Sequence, residues 1–419
     1  MKQRILAFWA FVRQHPLYGL YLLLLLLVLC KQWINSAELV DSGEYKNAAH
    51  NISNGQGWSA CLPNDTCDQL SLPETRRTPG YPLLIFLFYF SNLLLLFQVM
   101  LAALVPKLMY ALLLKTGNEQ SFKIAMVQLL LYPLQFYYAA MLMPEIICQM
   151  LVLYLIIAWI DKRWMRVAIA LTFLLLLKPV FMPWAWLVLV AQFWIKNKQR
   201  IWLTLPIAFV FLVSCLNFRQ TGLIHYTSMP VTNAFEYNIR NLVKGEVSGE
   251  EMYYKIAAHK MDSMNFQEKY HFMKTETQKA ISMSPVKYAY LHALGSAKAL
   301  LDPGRYDMVA FFQLPQGRGF MNNSGSGFWA SQPPAFWLYI IFFALLALLK
   351  ACLSVFAVFK KLPNKRILIF PVIYTLALIG PVGSARYLLP VMPIIIIMSA
   401  IGWDILFNKK HHESIVAER

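Results

Sequence analysis

The stretch Leu17-Tyr-Gly-Leu-Tyr-Leu-Leu-Leu-Leu-Leu-Leu-Val-Leu-Cys-Lys-Gln-Trp33 is followed, after seven intervening residues, by Asp41-Ser42-Gly43-Glu44-Tyr45. An apolar run of this length approaches the roughly 20 residues that a helix needs to cross hydrocarbon. The basic leader (Lys2, Arg4, Arg13) gives it the look of a secretory signal, but no small-residue cleavage boundary follows, so it reads as a retained transmembrane helix. The leader then places the amino terminus in the cytoplasm and Asp41 just beyond the opposite face. Carboxylates so close to lipid are costly unless they bind or catalyse something.

Composition extends this reading to the whole chain. With 58% hydrophobic residues and only 14% charged, the sequence belongs to the polytopic membrane class rather than to soluble proteins. The net charge of +17 resembles a nucleic-acid signature. Its lysines and arginines, however, sit in short clusters between apolar runs, as the positive-inside rule requires, so no nucleic-acid partner is expected. Lys115 and Lys123, then Lys162, Arg163 and Arg166, then Lys196, Lys198 and Arg200, then Lys360, Lys361, Lys365 and Arg366, and finally Lys409 and Lys410 mark cytoplasmic ends. The opposite ends carry Pro144-Glu145, Lys178-Pro179, a long polar stretch from about Arg219 to Gln332, and Gly383-Ser384-Ala385-Arg386. About ten spans follow from this count, with both termini cytoplasmic and the shortest spans between Met165 and Ile195.

Tyr81 to Leu114 is too long for one crossing, yet it must bring Lys115 inside. Pro79 and Pro82 are expected to open a short interfacial helix through Phe90, Ser91-Asn92 to mark a bend, and Phe97 to Leu114 to cross. The expected organisation is an N-terminal transmembrane module (1–217) whose first external loop (36–80) carries the catalytic acid. An external, periplasmic and mostly helical segment (218–333) and C-terminal spans with a cytoplasmic tail (334–419) complete it. Within the external segment, Gly249–Met264 and Asn265–Ser282 read as helices, Ser284-Pro285 restarts one through Leu301, and Asp302-Pro303-Gly304 ends it. The run from Gln316 reads as loop.

Asp41 and Glu44 stand at i and i+3, so on a helix they share a face, where they suit general-base duty or a divalent cation. A solvated juxtamembrane pair has the same spacing. Arg76 and Arg77, in the same loop, offer planar donor forks for phosphate oxygens or for lipid headgroups. Glu145 begins a helix behind a proline, which fits a cap as well as an active-site carboxylate. Lys178 suits snorkelling or phosphate contact. Arg386-Tyr387, with Pro390 and Pro393 behind, suggests a broken helix lining a cavity. Cys61 and Cys67 share one polar loop, where a disulfide fits an oxidising compartment and two free thiols fit equally. His225, His259, His271 and His292 lack metal-ligand spacing.

Taken in order, Asp41 to Glu44, Asn54-Gly55-Gln56-Gly57-Trp58, Arg77-Thr78-Pro79-Gly80-Tyr81-Pro82, Pro144-Glu145, Lys178-Pro179 and Arg386-Tyr387-Leu388-Leu389-Pro390 resemble the GT-C membrane glycosyltransferases. The similarity is to the bacterial group that includes protein mannosyltransferases and the lipid A aminoarabinose transferase. It implies an all-α GT-C-like bundle in the inner membrane and an external active site. The implied enzyme moves a hexose or pentose from a polyprenyl-phosphate donor to a hydroxyl of a lipid, glycan or protein acceptor, with inversion. On this resemblance Asp41 corresponds to the first-loop catalytic acid and Glu145 to the second-loop carboxylate. Arg76, Arg77, Lys178, Arg386 and Tyr387 are then expected around the donor phosphate. Asp41 and Glu44 are the candidate ligands of a Mg²⁺ or Mn²⁺ ion. This chain has Asp-Ser-Gly-Glu where many members have adjacent acids, which sets Glu44 apart from the usual second acid. Two rival readings are an O-antigen ligase or polymerase using a diphosphate-linked donor, with essential arginines in the large loop (Arg219, Arg240, Arg305, Arg318), and a lipid flippase.

Overall fold

The computed structural model describes residues 10–63, 72–89, 92–195, 198–243, 257, 259–314, 333–359 and 363–407. The chain is an all-α polytopic membrane protein; no β-strand occurs among the described residues. Its helices are α1 (Pro16–Ile34), α2 (Val40–Ser53), α3 (Gly80–Leu87), α4 (Asn92–Thr116), α5 (Phe122–Leu130), α6 (Pro133–Ala140), α7 (Glu145–Ile160), α8 (Trp164–Leu177), α9 (Met182–Ala191) and α10 (Leu205–Thr221). After a short helical stretch from Met229 to Val243 come α11 (Phe266–Met283), α12 (Pro285–Leu301) and α13 (Arg305–Phe312). The C-terminal part holds α14 (Pro334–Val358), α15 (Lys365–Ile379), a 3₁₀ stretch Ala385–Val391, and α16 (Met392–Phe407).

Among the described residues six helical segments are long and apolar enough to cross a membrane: Pro16–Ile34, Asn92–Thr116, Lys198–Thr221, Pro334–Val358, Lys365–Val382 and Ala385–Phe407. The expected count of about ten is not reached by length, because other apolar segments are short or broken. Trp164–Leu177 and Pro179–Trp194 fall below full span length, and α6 meets α7 at a bend of 114°. Prolines set many of these boundaries. Pro16, Pro133, Pro285 and Pro334 each occupy the first turn of a helix, where the missing N–H costs nothing. The expected interfacial helix and crossing between Tyr81 and Leu114 appear as α3 and α4. Ser91 of the expected bend lies outside the described residues, as do most of Gly249–Met264, the run from Gln316 and the carboxyl-terminal tail.

Buried polar side chains join the spans, as they must where lipid offers no alternative partner. Tyr18 and Tyr21 donate from Oη to the carbonyls of Ala103 and Ala102 at 2.7 and 3.0 Å. Gln149 donates to Gln135 Oε1 at 2.8 Å and to the Leu389 carbonyl at 2.9 Å, which fixes the Ala385–Val391 stretch against α7.

The restart at Ser284-Pro285 and the stop at Asp302 fall where the sequence indicates. Asn265 and Glu268 form a reciprocal capping box at the start of α11. Rather than standing clear of the bundle, α12 and α13 form a hairpin packed against the spans. Ser296 donates to the Leu376 carbonyl of α15 at 2.8 Å, and Tyr137 of α6 stacks on Phe311 of α13 at 4.9 Å. Gly295 permits the approach: a Cβ there would stand 2.1 Å from the Gly380 oxygen. A second, smaller core of Leu72, Phe235, Ile239, Met261 and Met273 holds the outer segment to the first loop.

Candidate active site

A single turn of helix brings the acidic pair together. Val40–Ser53 is helical, so Asp41 and Glu44 project from one face, as their spacing requires. Ser42, between them, is buried and donates from Oγ to the Leu142 carbonyl at 3.1 Å, which ties α2 to the corner between α6 and α7. Tyr45 packs edge-on against Tyr81 of α3 at 4.9 Å. Burial pushes the Tyr45 hydroxyl up to about 12, so the ring stays neutral and offers its face to a cation.

That cation is Arg77. Its guanidinium carbon lies 4.7 Å from the Tyr45 ring centre. Nε donates to Glu44 Oε2 at 2.7 Å and Nη2 to Asp41 Oδ1 at 2.8 Å. Arg386 reaches in from the C-terminal spans and meets Asp41 Oδ2 at 2.7 Å. Both oxygens of Asp41 are therefore held by guanidinium groups delivered from opposite ends of the sequence. Burial alone would raise the Asp41 carboxyl, but Arg386 and Arg77 outweigh it and hold the group well below the ordinary carboxylate range. Arg76 stands 3.6 Å from Glu44 Oε2 and 3.4 Å from Glu236 Oε2 of the outer segment, linking the first loop to that segment.

Glu145 and Lys178 form a second pair. Glu145 is buried at the start of α7, behind Pro144; Lys178 caps the C-terminal end of α8, and its Nζ donates to Glu145 Oε1 at 2.7 Å. Glu145 Oε2 is buried without a hydrogen-bond partner among the described residues. Of the expected phosphate contacts, Arg76, Arg77 and Arg386 thus gather at Asp41 and Glu44, whereas Lys178 is committed to Glu145. Tyr387 lies beside Arg386, whose guanidinium carbon is 5.3 Å from its ring centre. Cys61 is disulfide-bonded, and Cys67 lies outside the described residues; Cys30, Cys148, Cys215 and Cys352 are free.

The expected metal pair, Asp41 and Glu44, is engaged by guanidinium groups in this structure. Asp41, Glu44 and Glu236 are balanced by Arg76, Arg77 and Arg386, so three negative charges meet three positive ones and little net field is left to attract Mg²⁺ or Mn²⁺. Among the described residues no three His, Cys, Asp or Glu side chains gather as a metal-holding group.

Asp307 is the residue that sequence reasoning missed. It lies on α13, is 7% exposed, and accepts a hydrogen bond from Tyr138 of α6. Burial pushes its carboxyl up to about 6, against the pull of Tyr138 and Arg386. Its signal was an isolated acid in the apolar run Tyr306-Asp-Met-Val-Ala-Phe-Phe312. Glu236 was equally unread, since nothing local links it to Arg76. Of the arginines tied to the ligase reading, Arg305 pairs with Asp302 at 3.6 Å, and Arg318 lies outside the described residues.

No protein-family model matches the chain, and no curated protein matches it. Among solved structures it is similar to the archaeal oligosaccharyltransferase AglB from Archaeoglobus fulgidus, in complex with an inhibitory peptide and a dolichol-phosphate, with 13% identity and a TM-score of 0.44. The match covers 97% of this chain and 52% of that one, so the chain spans about half the length of AglB. A likeness this distant assigns no residue, and the candidate site stands on its own geometry.

Proposed function

We propose that the chain is a GT-C-like glycosyltransferase that moves a hexosyl or pentosyl group from a polyprenyl-phosphate donor to an acceptor hydroxyl. The observation that carries this reading is the Asp41 carboxylate held between Arg77 and Arg386 beside Glu44 and Arg76. Its setting is the external face of an inner membrane, with both termini cytoplasmic, as the charge pattern of the sequence suggests. The acceptor is a lipid, glycan or protein hydroxyl.

In this reading the acceptor oxygen attacks the anomeric carbon and gives its proton to Asp41. The bond from that carbon to the phosphate oxygen breaks, and polyprenyl phosphate leaves with the electron pair. Arg76, Arg77 and Arg386 stabilise the charge that develops on it. In the resting arrangement Asp41 is a weak base, because two guanidinium groups stabilise its ionised form. A donor phosphate that takes over those guanidinium donors relieves the stabilisation, so Asp41 becomes basic only once donor is bound. The balanced charge around Asp41 supports a reading in which arginines carry the phosphate charge. The gathering of Arg76, Arg77 and Arg386, rather than arginines of the large loop, favours a monophosphate-donor transferase over a ligase.

The test is Asp41→Asn in the purified full-length protein, supplied with polyprenyl-phosphate sugars and an acceptor mixture. Donor binding is expected to persist while transfer falls by at least about 10²-fold, the lower range for loss of a general base. Full transfer by this variant refutes the assignment.

A further inference from the structure

Lys350 lies inside α14, eight residues before its end at Val358. It is 8% exposed, unlike the basic clusters that flank the apolar runs. A charged side chain within a span is costly and is retained where it meets a partner. Among the described residues Lys350 forms no ion pair; its ammonium rests 4.8 Å from the ring centre of Tyr132. Tyr132 is itself 5% exposed, and its hydroxyl is buried without a hydrogen-bond partner.

Both side chains line one cleft, between α14, the start of α16 and the tip of the α12–α13 hairpin. Its walls include Phe343, Ala347, Met392 and Ile395. Ala347 and Ala351 put only methyl groups on this wall. The remaining charge in the lining, Asp302, is already engaged: Oδ1 accepts from the backbone N–H groups of Gly304 and Arg305 at 2.9 and 3.1 Å, and Oδ2 stands 3.6 Å from Arg305 Nε. What the cleft offers a ligand is one ammonium, one hydroxyl and apolar walls.

We propose that this cleft binds the phosphate headgroup of a membrane amphiphile, with Lys350 Nζ as its counter-charge, Tyr132 Oη as hydrogen-bond donor, and the apolar walls taking the first part of its chain. An anion satisfies the lysine without displacing an ion pair or hydrogen bond, because among the described residues neither polar atom has such a partner to give up. The site shares no residue with the Asp41 cluster, and it stands whether or not the chain transfers sugar. A prenyl phosphate and a bilayer phospholipid present the same chemistry.

Native mass spectrometry of the full-length protein in detergent tests this, with farnesyl phosphate, phosphatidylglycerol and, as the uncharged control, farnesol. Wild-type protein is expected to bind at least one of the two phosphates in preference to farnesol. Binding that Lys350→Met weakens supports the site: with farnesyl phosphate alone it identifies a prenyl carrier as the ligand, and with phosphatidylglycerol alone a bilayer lipid. Lys350→Met should weaken that binding tenfold or more, Lys350→Arg should retain it, and Arg77→Ala should leave this component in place. Methionine matches the lysine stem and suits a span, and Tyr132→Phe, which removes only the hydroxyl, gives an independent loss of a few-fold. Equal binding by wild type and both Lys350→Met and Tyr132→Phe overturns the proposal, as does binding of neither phosphate.

Discussion

Replacing Asp307 by Asn should make the protein more stable at neutral pH, although it removes a carboxylate at the edge of the candidate site. Asp307 is 7% exposed, and its carboxyl titrates at about 6 in the fold against an ordinary 3.8. A folded-state value above the unfolded one means that the protonated form suits the fold. The associated stability is complete below about pH 4 and is lost as pH rises through 6. From 3.8 to 6, at 1.36 kcal/mol per pH unit, the loss comes to about 3 kcal/mol. Asparagine keeps an oxygen that accepts from Tyr138 and never ionises, so the variant should escape this loss. Thermal unfolding of detergent-solubilised protein between pH 4 and 7, followed by tryptophan fluorescence, measures it. The wild-type midpoint should fall by a few degrees more than that of Asp307→Asn across this range, and the gap should stop widening above pH 7. Parallel curves for the two proteins would show that Asp307 does not carry a raised carboxyl, and the reasoning from burial would fail.

Gly80 opens α3 with its Cα against α8: a Cβ would lie 2.6 Å from the Leu176 carbonyl oxygen. Gly80→Ala should therefore push α3 outward at a cost of about 1–3 kcal/mol, read as a lowered unfolding midpoint. It should also impair transfer, because Arg77 lies three residues before the displaced helix. Chelation by excess EDTA should leave transfer within about twofold of the untreated rate, since guanidinium groups fill the phosphate-binding role assigned here; loss of activity restored by Mg²⁺ or Mn²⁺ would return Asp41 and Glu44 to the role of metal ligands.

Local rules made much of this legible in the sequence. Asp41 and Glu44 fall on one helical face, Pro144 and Pro285 start helices, and Asp302-Pro303-Gly304 stops one, because each depends only on near neighbours along the chain. Arg77 and Arg386 could be placed at the same membrane end by counting basic clusters. Their convergence on the two oxygens of Asp41 could not, since it depends on how α7 holds the Ala385–Val391 stretch through Gln149. The pairing of Lys178 with Glu145 was hidden for the same reason: the two stand 33 residues apart. Asp307 and Glu236 belong to a segment whose docking is tertiary, so neither hydropathy nor charge count pointed to them. Short or bent apolar helices such as Trp164–Leu177 and the α6–α7 corner could not be delimited in the sequence, because composition measures the length of an apolar run and not its direction.

The joint between the first loop and the outer segment has two parts of unlike physics. Leu72, Phe235, Ile239, Met261 and Met273 form an apolar base, while Arg76 bridges Glu44 and Glu236 at 3.6 and 3.4 Å as a looser polar lip. Ionic strength acts on these differently. Added salt screens the lip and leaves apolar burial in place or strengthens it. Of the two, the edge nearest Glu44 is consequently the salt-sensitive part of the joint, and the apolar seat is not.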